Sequence, residues 1–193
     1  MSLSSIPNIL TIMRLLLVAP IGYLIIQQQY DVALIVFFIA AFSDAIDGVI
    51  ARRFGWQSRL GSILDPLADK AMLVTAYLSL GWIGLLPVWL VGIVLLRDVL
   101  IVLGAVAYHF LIGHFSMEPS MVSKANTFFQ SLLALVVVFA QVYIPLEHYV
   151  VSPLVYIVAV TTIMSGFLYV KVWSSRASRS KKSQARKKVS IHD

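Results

Sequence analysis

Residues 44–69 read DAIDGVIARRFGWQSRLGSILDPLAD, a charged segment in a chain that is otherwise strongly apolar. Of the 193 residues, 60% are hydrophobic and only 12% are charged. The mean hydropathy is +0.89. A typical soluble domain carries about 25% charged residues, whereas apolar runs long enough to cross a bilayer recur along this chain. The sequence therefore predicts an all-α, polytopic integral membrane protein. The charged side chains at 44–69 indicate a functional site within it.

Six transmembrane helices are predicted, at residues 9–27, 32–53, 61–81, 85–112, 121–144 and 150–173. Basic residues lie in the second and fourth links and after the sixth helix, and the positive-inside rule then places both termini in the cytoplasm. We expect residues 1–173 to form one membrane domain. Residues 174–193 are expected to form a basic, disordered cytoplasmic tail, either solvated or touching anionic lipid. The chain has no cysteine, which excludes disulfides and thiolate metal sites.

Two pairs of aspartates are spaced so that each pair shares one helical face. Asp44 and Asp47 are three residues apart in the second helix, and Asp65 and Asp69 are four apart in the third. The short link predicts antiparallel neighbours, so both pairs should lie at the same cytoplasmic level. An Asp at the bilayer centre costs roughly 2.5–3.5 kcal/mol. We therefore expect the four side chains to face a polar cavity.

Four clustered carboxylates repel one another, and bound cations remove this repulsion. An all-oxygen ligand set without His or Cys suits Mg²⁺ or Mn²⁺, and two ions fit four carboxylates as in displacement at phosphorus. The sequence predicts two divalent cations at Asp44, Asp47, Asp65 and Asp69. Gly48 and Gly61 lie on the same helical faces as the aspartates and have no side chain, which would let a bulky ligand approach the backbone. Helix packing is the alternative reading of these glycines.

The complete pattern resembles the signature of the CDP-alcohol phosphotransferase family. It reads Asp44-x-x-Asp47-Gly48-x-x-Ala51-Arg52, then eight residues, then Gly61-x-x-x-Asp65-x-x-x-Asp69. The resemblance implies a six-helix membrane enzyme, usually a homodimer. Such an enzyme transfers a phosphatidyl or similar group from a CDP-linked donor to an alcohol and releases CMP.

The resemblance also implies roles for individual residues. Three metal-ligand positions are matched by Asp44, Asp47 and Asp65, and a position with both metal-ligand and general-base duty is matched by Asp69. Positions that accommodate the CDP moiety are matched by Gly48, Ala51, Arg52 and Gly61. The metals would offset the charge of the diphosphate while Asp69 takes the proton of the acceptor hydroxyl. Arg52 has a second reading, as an interfacial anchor or topology signal.

The segment IPNILTIMRLLLVAP, residues 6–20, resembles the N-terminal part of phosphatidylglycerophosphate synthases and CMP-forming cardiolipin synthases. Asn8, Thr11 and Arg14 follow one another at intervals of three. We predict that Asn8 and Thr11 contact the donor and that Arg14 contacts the phosphate of the acceptor. Capping and interfacial anchoring are the alternative readings.

Two further stretches suggest contacts with the acceptor phosphate. LLRDVLIV carries Arg97 inside the fourth helix, where a buried Arg is a natural phosphate ligand. A local pair with Asp98 is not expected, because adjacent helix positions do not face each other. At the start of the fifth helix, Lys124 and Thr127 share a face and suggest a second anion contact. Lys124 is also explained as a topology signal.

The stretches GYLII, LGSILDPLADK, RDV and SKANT resemble the eukaryotic-type cardiolipin synthase branch, which implies CDP-diacylglycerol as donor and phosphatidylglycerol as acceptor. Glycerol 3-phosphate stays the alternative acceptor, because the same cations would serve either. A cation transporter using the aspartates is the alternative of another class, and a non-catalytic CDP-lipid binder is a third. We predict membrane lipids and a second copy of the chain as partners, without nucleic acid. The predicted location is a bacterial or organellar inner membrane, with the site near its cytoplasmic face.

Overall fold

A computed structural model describes the backbone of residues 6–54, 61–112, 121–143 and 150–189. It describes the side chains of residues 11–40, 42–43, 64–104, 121–143 and 150–171. The described backbone forms six helices and no strand, which confirms the all-α class. The helices are α1 (Ile6–Ile26), α2 (Tyr30–Phe54), α3 (Gly61–Trp82), α4 (Val88–Ile112), α5 (Met121–Val142) and α6 (Ser152–Val189).

The sixth helix continues well beyond its predicted end at residue 173, since α6 ends at Val189. Residues 174–189 contain neither Gly nor Pro and include seven Arg and Lys residues, which favour helix. A helix that is already nucleated extends readily into such a segment. The backbone of residues 174–189 is therefore helical where we predicted disorder. The division of the chain into a membrane domain and a separate tail stays a prediction.

The described exterior is strongly apolar. Large hydrophobic side chains are exposed on every helix, among them Leu16, Phe42, Leu67, Val88, Phe128 and Phe167. Within the described residues, the segments Met121–Val142 and Ser152–Lys171 are long and apolar enough to cross a membrane. Such a surface suits a hydrocarbon surrounding better than water. The six-span topology with cytoplasmic termini stays a prediction.

The chain divides into two compact units. Unit 1 comprises Met1–Val91 and Gln130–Val155, and unit 2 comprises Gly92–Phe129 and Tyr156–Asp193. The boundaries fall inside α4, α5 and α6, so each of these helices contributes to both units.

In unit 1, α1 packs against α2 and α3. The buried face of α1 carries Thr11, Arg14, Ile21 and Ile25, and that of α3 carries Ala68, Met72, Ala76 and Leu80. Spacings of three and four place each set on one helical face. This packing fixes the position of α1 against the helix that carries Asp65 and Asp69.

Gly22 is a point of close contact between α1 and α3. A Cβ atom added there would lie 2.6 Å from Thr75 Cγ2, so a larger residue requires the Thr75 side chain or the helices to shift. The contacts follow the same order along both helices. Thr11 contacts Asp65 near the start of each helix, and Gly22 lies against Thr75 further along. The helices α1 and α3 therefore run in the same direction, as expected when one helix separates them in the chain.

Two helix ends in unit 1 use the same cap, in which the residue after the helix takes a left-handed conformation. At the end of α1, Gln28 has φ 58° and Gln29 N donates to Leu24 O at 2.9 Å. At the end of α3, Gly84 has φ 79° and Leu85 N donates to Leu80 O at 2.9 Å. The first cap therefore places a residue with a Cβ where glycine is favoured.

Unit 2 has a more polar interior. Its buried apolar side chains, within the described residues, are Val94, Val158 and Ala159. Its buried polar side chains are Arg97, Asp98, Ser123, Asn126, Thr162 and Ser165. Buried polar groups need hydrogen-bond partners, so the packing of this unit depends on polar contacts.

Candidate functional site

The aspartate motif extends from α2 into α3, with the link between them outside the described residues. The backbone of α2 carries Asp44, Asp47, Gly48, Ala51 and Arg52, and Gly61 begins α3. The side chains of these residues, and that of Asn8 in α1, lie outside the description. Convergence of the four carboxylates therefore stays a prediction.

The described half of the motif is held by α1. Thr11 Oγ1 donates a hydrogen bond to Asp65 Oδ1, and Arg14 Nη1 donates to Asp69 Oδ1 at 2.9 Å. The two donors are three residues apart on α1, and the two acceptors are four apart on α3. Unit 1 thus brings Thr11 and Arg14 together with two of the predicted site carboxylates. Both donors contact these carboxylates rather than pointing into lipid.

The exposure of this ion pair is asymmetric. The Arg14 side chain is 1% exposed, whereas that of Asp69 is 49% exposed. Burying a guanidinium costs several kcal/mol unless a partner offsets the loss of hydration, and a charge-assisted hydrogen bond provides such a partner. Asp69 therefore meets a buried cation while still facing open space.

The second cluster belongs to unit 2 and surrounds Arg97. Arg97 Nη2 donates to Ser123 Oγ at 2.6 Å and to Ser165 Oγ at 2.7 Å. Arg97 Nη1 donates to Asp98 Oδ1 at 2.9 Å. Three helices, α4, α5 and α6, meet at this guanidinium.

The contact between Arg97 and Asp98 contradicts our expectation that adjacent helix positions would not pair. The expectation holds for the directions in which two Cβ atoms leave a helix. An arginine side chain has several rotatable bonds, however, and its guanidinium can turn back to a neighbouring carboxylate. The result is a buried ion pair of opposite charges within one helical turn.

Four residues around Arg97 were missed by sequence reasoning: Ser123, Ser165, Gly166 and Tyr169. A Cβ added at Gly166 would lie 3.7 Å from Arg97 Cγ, an ordinary packing distance. The Arg97 Cζ lies 5.9 Å from the centre of the Tyr169 ring, within the range of a cation–π contact. Isolated hydroxyls in apolar helices were the available signal, but spacing along one helix cannot identify a partner on another.

The start of α5 carries the predicted anion contacts, Lys124 and Thr127. Lys124 is exposed, whereas its neighbour Ser123 is buried on Arg97. Thr127 Oγ1 donates to Ser123 O at 3.1 Å, within its own helix. Asn126 Oδ1 accepts hydrogen bonds from Thr161 and Thr162 at 2.9 and 2.8 Å, which joins α5 to α6. The predicted contact of Lys124 and Thr127 with a phosphate stays a prediction.

Two of the predicted metal ligands, Asp65 and Asp69, lie among the described side chains. The described side chains include no group of three or more His, Asp or Glu that could hold an ion. Asp65 and Asp69 lie one helical turn apart and supply the oxygen donors that Mg²⁺ and Mn²⁺ prefer. The exposed face of Asp69 leaves an approach from outside. This half of the predicted ligand set therefore fits a divalent cation.

The fold and the site define a class of protein: an all-helical chain with an apolar exterior and a carboxylate site on α3 supported by α1. Residues 4–173 match the CDP-alcohol phosphatidyltransferase family. Because this match covers most of the chain, the protein belongs to that family, and the resemblance of its aspartate motif is confirmed.

Several relatives carry names that state an activity. A probable cardiolipin synthase (CMP-forming) of Drosophila melanogaster is 35% identical over 189 residues, covering 88% of this chain and 58% of the relative. The cardiolipin synthase (CMP-forming) of Homo sapiens is 35% identical over 182 residues, covering 86% and 60%. The chain thus spans about three fifths of the length of these two relatives.

A third relative has a different name. The CDP-diacylglycerol–glycerol-3-phosphate 3-phosphatidyltransferase of Aquifex aeolicus is 35% identical over 143 residues, covering 72% of this chain and 78% of the relative. Both activities considered from the sequence are therefore represented among the relatives.

Proposed function

We propose that this protein transfers a phosphatidyl group from CDP-diacylglycerol to phosphatidylglycerol, which produces cardiolipin and CMP. The observation that carries the proposal is the attachment of two motif carboxylates, Asp65 and Asp69, to buried polar side chains of α1. Family membership and the names of the relatives at 35% identity support the same reaction.

The proposed site holds two divalent cations on Asp44, Asp47, Asp65 and Asp69. When bound, Mg²⁺ or Mn²⁺ would supply charge neutralisation of the diphosphate. The remaining motif residues, Gly48, Ala51, Arg52 and Gly61, together with Asn8, are proposed to receive the CDP moiety. Arg97, Lys124 and Thr127 are proposed to bind the phosphate of the acceptor.

In the proposed reaction, Asp69 removes the proton of the acceptor hydroxyl. The hydroxyl oxygen forms a bond to the phosphorus that carries diacylglycerol, the bond from this phosphorus to the CMP oxygen breaks, and CMP leaves. Arg14 donates a hydrogen bond to Asp69 Oδ1, which holds this carboxylate in place. The half exposure of Asp69 allows an acceptor to reach this carboxylate.

Glycerol 3-phosphate is the second candidate acceptor, and the name of the Aquifex aeolicus relative favours it. Phosphatidylglycerol and glycerol 3-phosphate both carry a phosphate near the attacking hydroxyl, so a buried guanidinium such as Arg97 would suit either. The transporter alternative is disfavoured, because the family is one of transferases.

We also propose a homodimer that spans the membrane several times, with its site near the cytoplasmic face.

The test uses purified full-length protein in vesicles with labelled CDP-diacylglycerol and Mn²⁺ or Mg²⁺. Phosphatidylglycerol and glycerol 3-phosphate are supplied in separate reactions, and the lipid product is identified. Cardiolipin with equimolar CMP in the first reaction is the expected result, and chelation should abolish it. Product only with glycerol 3-phosphate would replace the proposed acceptor, and no CMP with either would refute the proposal.

A further inference from the structure

Thr11 and Arg14 are each in direct contact with a candidate site carboxylate, in a geometry that is not explained by substrate binding alone. Both side chains are 1% exposed. They occupy the same buried face of α1 that carries Ile21 and Ile25 further along. A polar residue in such a face is costly unless it has partners, and here the partners are Asp65 and Asp69.

We propose that Thr11 and Arg14 are positioning residues: they set the orientation of Asp65 and Asp69 toward a divalent cation. This inference rests on the proposed function, because it assigns the metal-ligand role to these two carboxylates. It differs from the roles predicted from the sequence, in which Thr11 binds the donor and Arg14 the acceptor.

The first step concerns the stiffness of the donors. Threonine is branched at Cβ and has few accessible rotamers in a helix, so its hydroxyl has a nearly fixed direction. Arg14 is enclosed by protein and cannot turn toward solvent. Gly22 keeps α1 and α3 in close contact along the same face. The two donors are therefore held by the packing of α1, independently of any ligand.

The second step concerns the carboxylates. Each has one oxygen fixed by a hydrogen bond from α1, and a carboxylate is planar, so the direction of its second oxygen is fixed as well. Some groups orient a metal ligand by a hydrogen bond without touching the metal. Removing such a group commonly lowers metal affinity by about 10–100-fold. We expect the same kind of effect from α1.

The test uses Thr11→Val, which removes the hydroxyl while keeping the shape and the charge of the site. Thr11→Ser keeps the hydroxyl and serves as the rescue variant. Ile12→Val is the matched control, since Ile12 lies next to Thr11 but is exposed. Full-length protein in detergent is titrated with Mn²⁺ without substrate, and the free Mn²⁺ is measured by electron paramagnetic resonance.

We expect Thr11→Val to weaken Mn²⁺ binding by about tenfold. Thr11→Ser and Ile12→Val should stay within about twofold of the unchanged protein. A wild-type Mn²⁺ affinity in Thr11→Val would overturn the inference. So would an increase in the KM for CDP-diacylglycerol alone, because that result would assign Thr11 to the donor. An equal loss in all three variants, or no Mn²⁺ binding by the unchanged protein, would also overturn it.

The failure of this inference and the failure of the proposed function are distinguishable. Transfer of phosphatidyl groups with unaltered Mn²⁺ binding in Thr11→Val would refute positioning by α1 and leave the function intact. A tenfold loss of Mn²⁺ affinity in a protein that releases no CMP would refute the function and leave the positioning role intact.

Discussion

The two buried arginines of this protein have partners of different kinds. Arg14 in unit 1 pairs with a carboxylate on another helix that is 49% exposed. Arg97 in unit 2 pairs with its own neighbour, Asp98, whose side chain is only 10% exposed, and with two hydroxyls from other helices. The first arginine therefore supports a half-exposed carboxylate, whereas the second is buried on a neighbouring carboxylate and on hydroxyls of two other helices.

This difference indicates how the two regions should respond to change. Perturbing the contact between α1 and α3 should alter the chemistry of the site more than its stability. Perturbing the Arg97 cluster should alter the packing of α4, α5 and α6 and any acceptor bound there.

Replacing Asp69, the exposed member of the ion pair with Arg14, should have the greatest effect on turnover. Asp69→Asn should lower turnover by about 10²–10⁴-fold, the usual contribution of a general base, with donor binding preserved. The measurement is CMP release from CDP-diacylglycerol, together with binding of the donor. Asp31→Asn is the control, because Asp31 is exposed at the start of α2. Unchanged turnover in Asp69→Asn would remove the general-base assignment.

The same substitution at both arginines should separate their roles. Lysine keeps the charge but cannot reproduce the several directed hydrogen bonds of a guanidinium. Arg97→Lys should raise the KM for the acceptor by about tenfold, since a hydrogen bond to a charged group contributes about 1.5–3 kcal/mol. Arg14→Lys should instead lower kcat by a similar factor, with little change in acceptor KM.

Steady-state kinetics with varied acceptor and saturating donor measure both variants of this pair. Arg97 and Arg14 would have the same role if the two lysine variants changed kcat and KM alike. Such a result would contradict the contrast between the two regions.

Close packing of α1 on α3 can be tested at Gly22. Gly22→Ala should lower the free energy of unfolding by about 1–3 kcal/mol because of overpacking, since its Cβ would lie 2.6 Å from Thr75 Cγ2. Gly92→Ala is the matched control, as a Cβ at Gly92 meets nothing within 4 Å. It should be neutral or stabilise α4 by up to about 1 kcal/mol.

Thermal unfolding in detergent, followed by tryptophan fluorescence, compares the two glycine variants. Gly22→Ala should also reduce turnover while leaving the KM for the acceptor unchanged, because the Arg97 cluster belongs to unit 2. Equal melting temperatures for the two variants would contradict the tight contact at Gly22.

The smallest expected effects concern the two helix caps of unit 1. Gln28→Gly should raise stability by about 0.5–1 kcal/mol, because glycine adopts positive φ without strain. Gly84→Ala should lower stability by about 1 kcal/mol for the same reason. Neither change should alter Mn²⁺ binding or acceptor KM. If the melting temperatures of the two variants shifted in the same direction, the backbone φ at residues 28 and 84 would not determine the stability of these helix ends.

Sequence reasoning predicted the number of helices because long apolar segments separated by polar links have few alternatives in a membrane-type chain. It also selected Thr11 and Arg14 as site residues, but as contacts of the donor and of the acceptor phosphate, and it did not pair them with Asp65 and Asp69. It did not find Ser123 or Ser165 as partners of Arg97, and it excluded Asp98 wrongly. Those contacts depend on how three helices meet and on the rotamer of a long side chain, which spacing does not report.

The amino-acid sequence by itself determined the all-helical class, the family and the acidic motif, because apolar length and residue spacing act within single segments of chain. Only the tertiary structure decided which carboxylate each α1 donor contacts, and that Arg97 is surrounded by hydroxyls and by its neighbour. The contacts of Thr11 and Arg14 join residues of α1 and α3 that are more than 50 positions apart in the chain. These contacts follow from the close packing of α1 on α3, because the contact at Gly22 and the buried guanidinium of Arg14 allow few relative positions of the two helices.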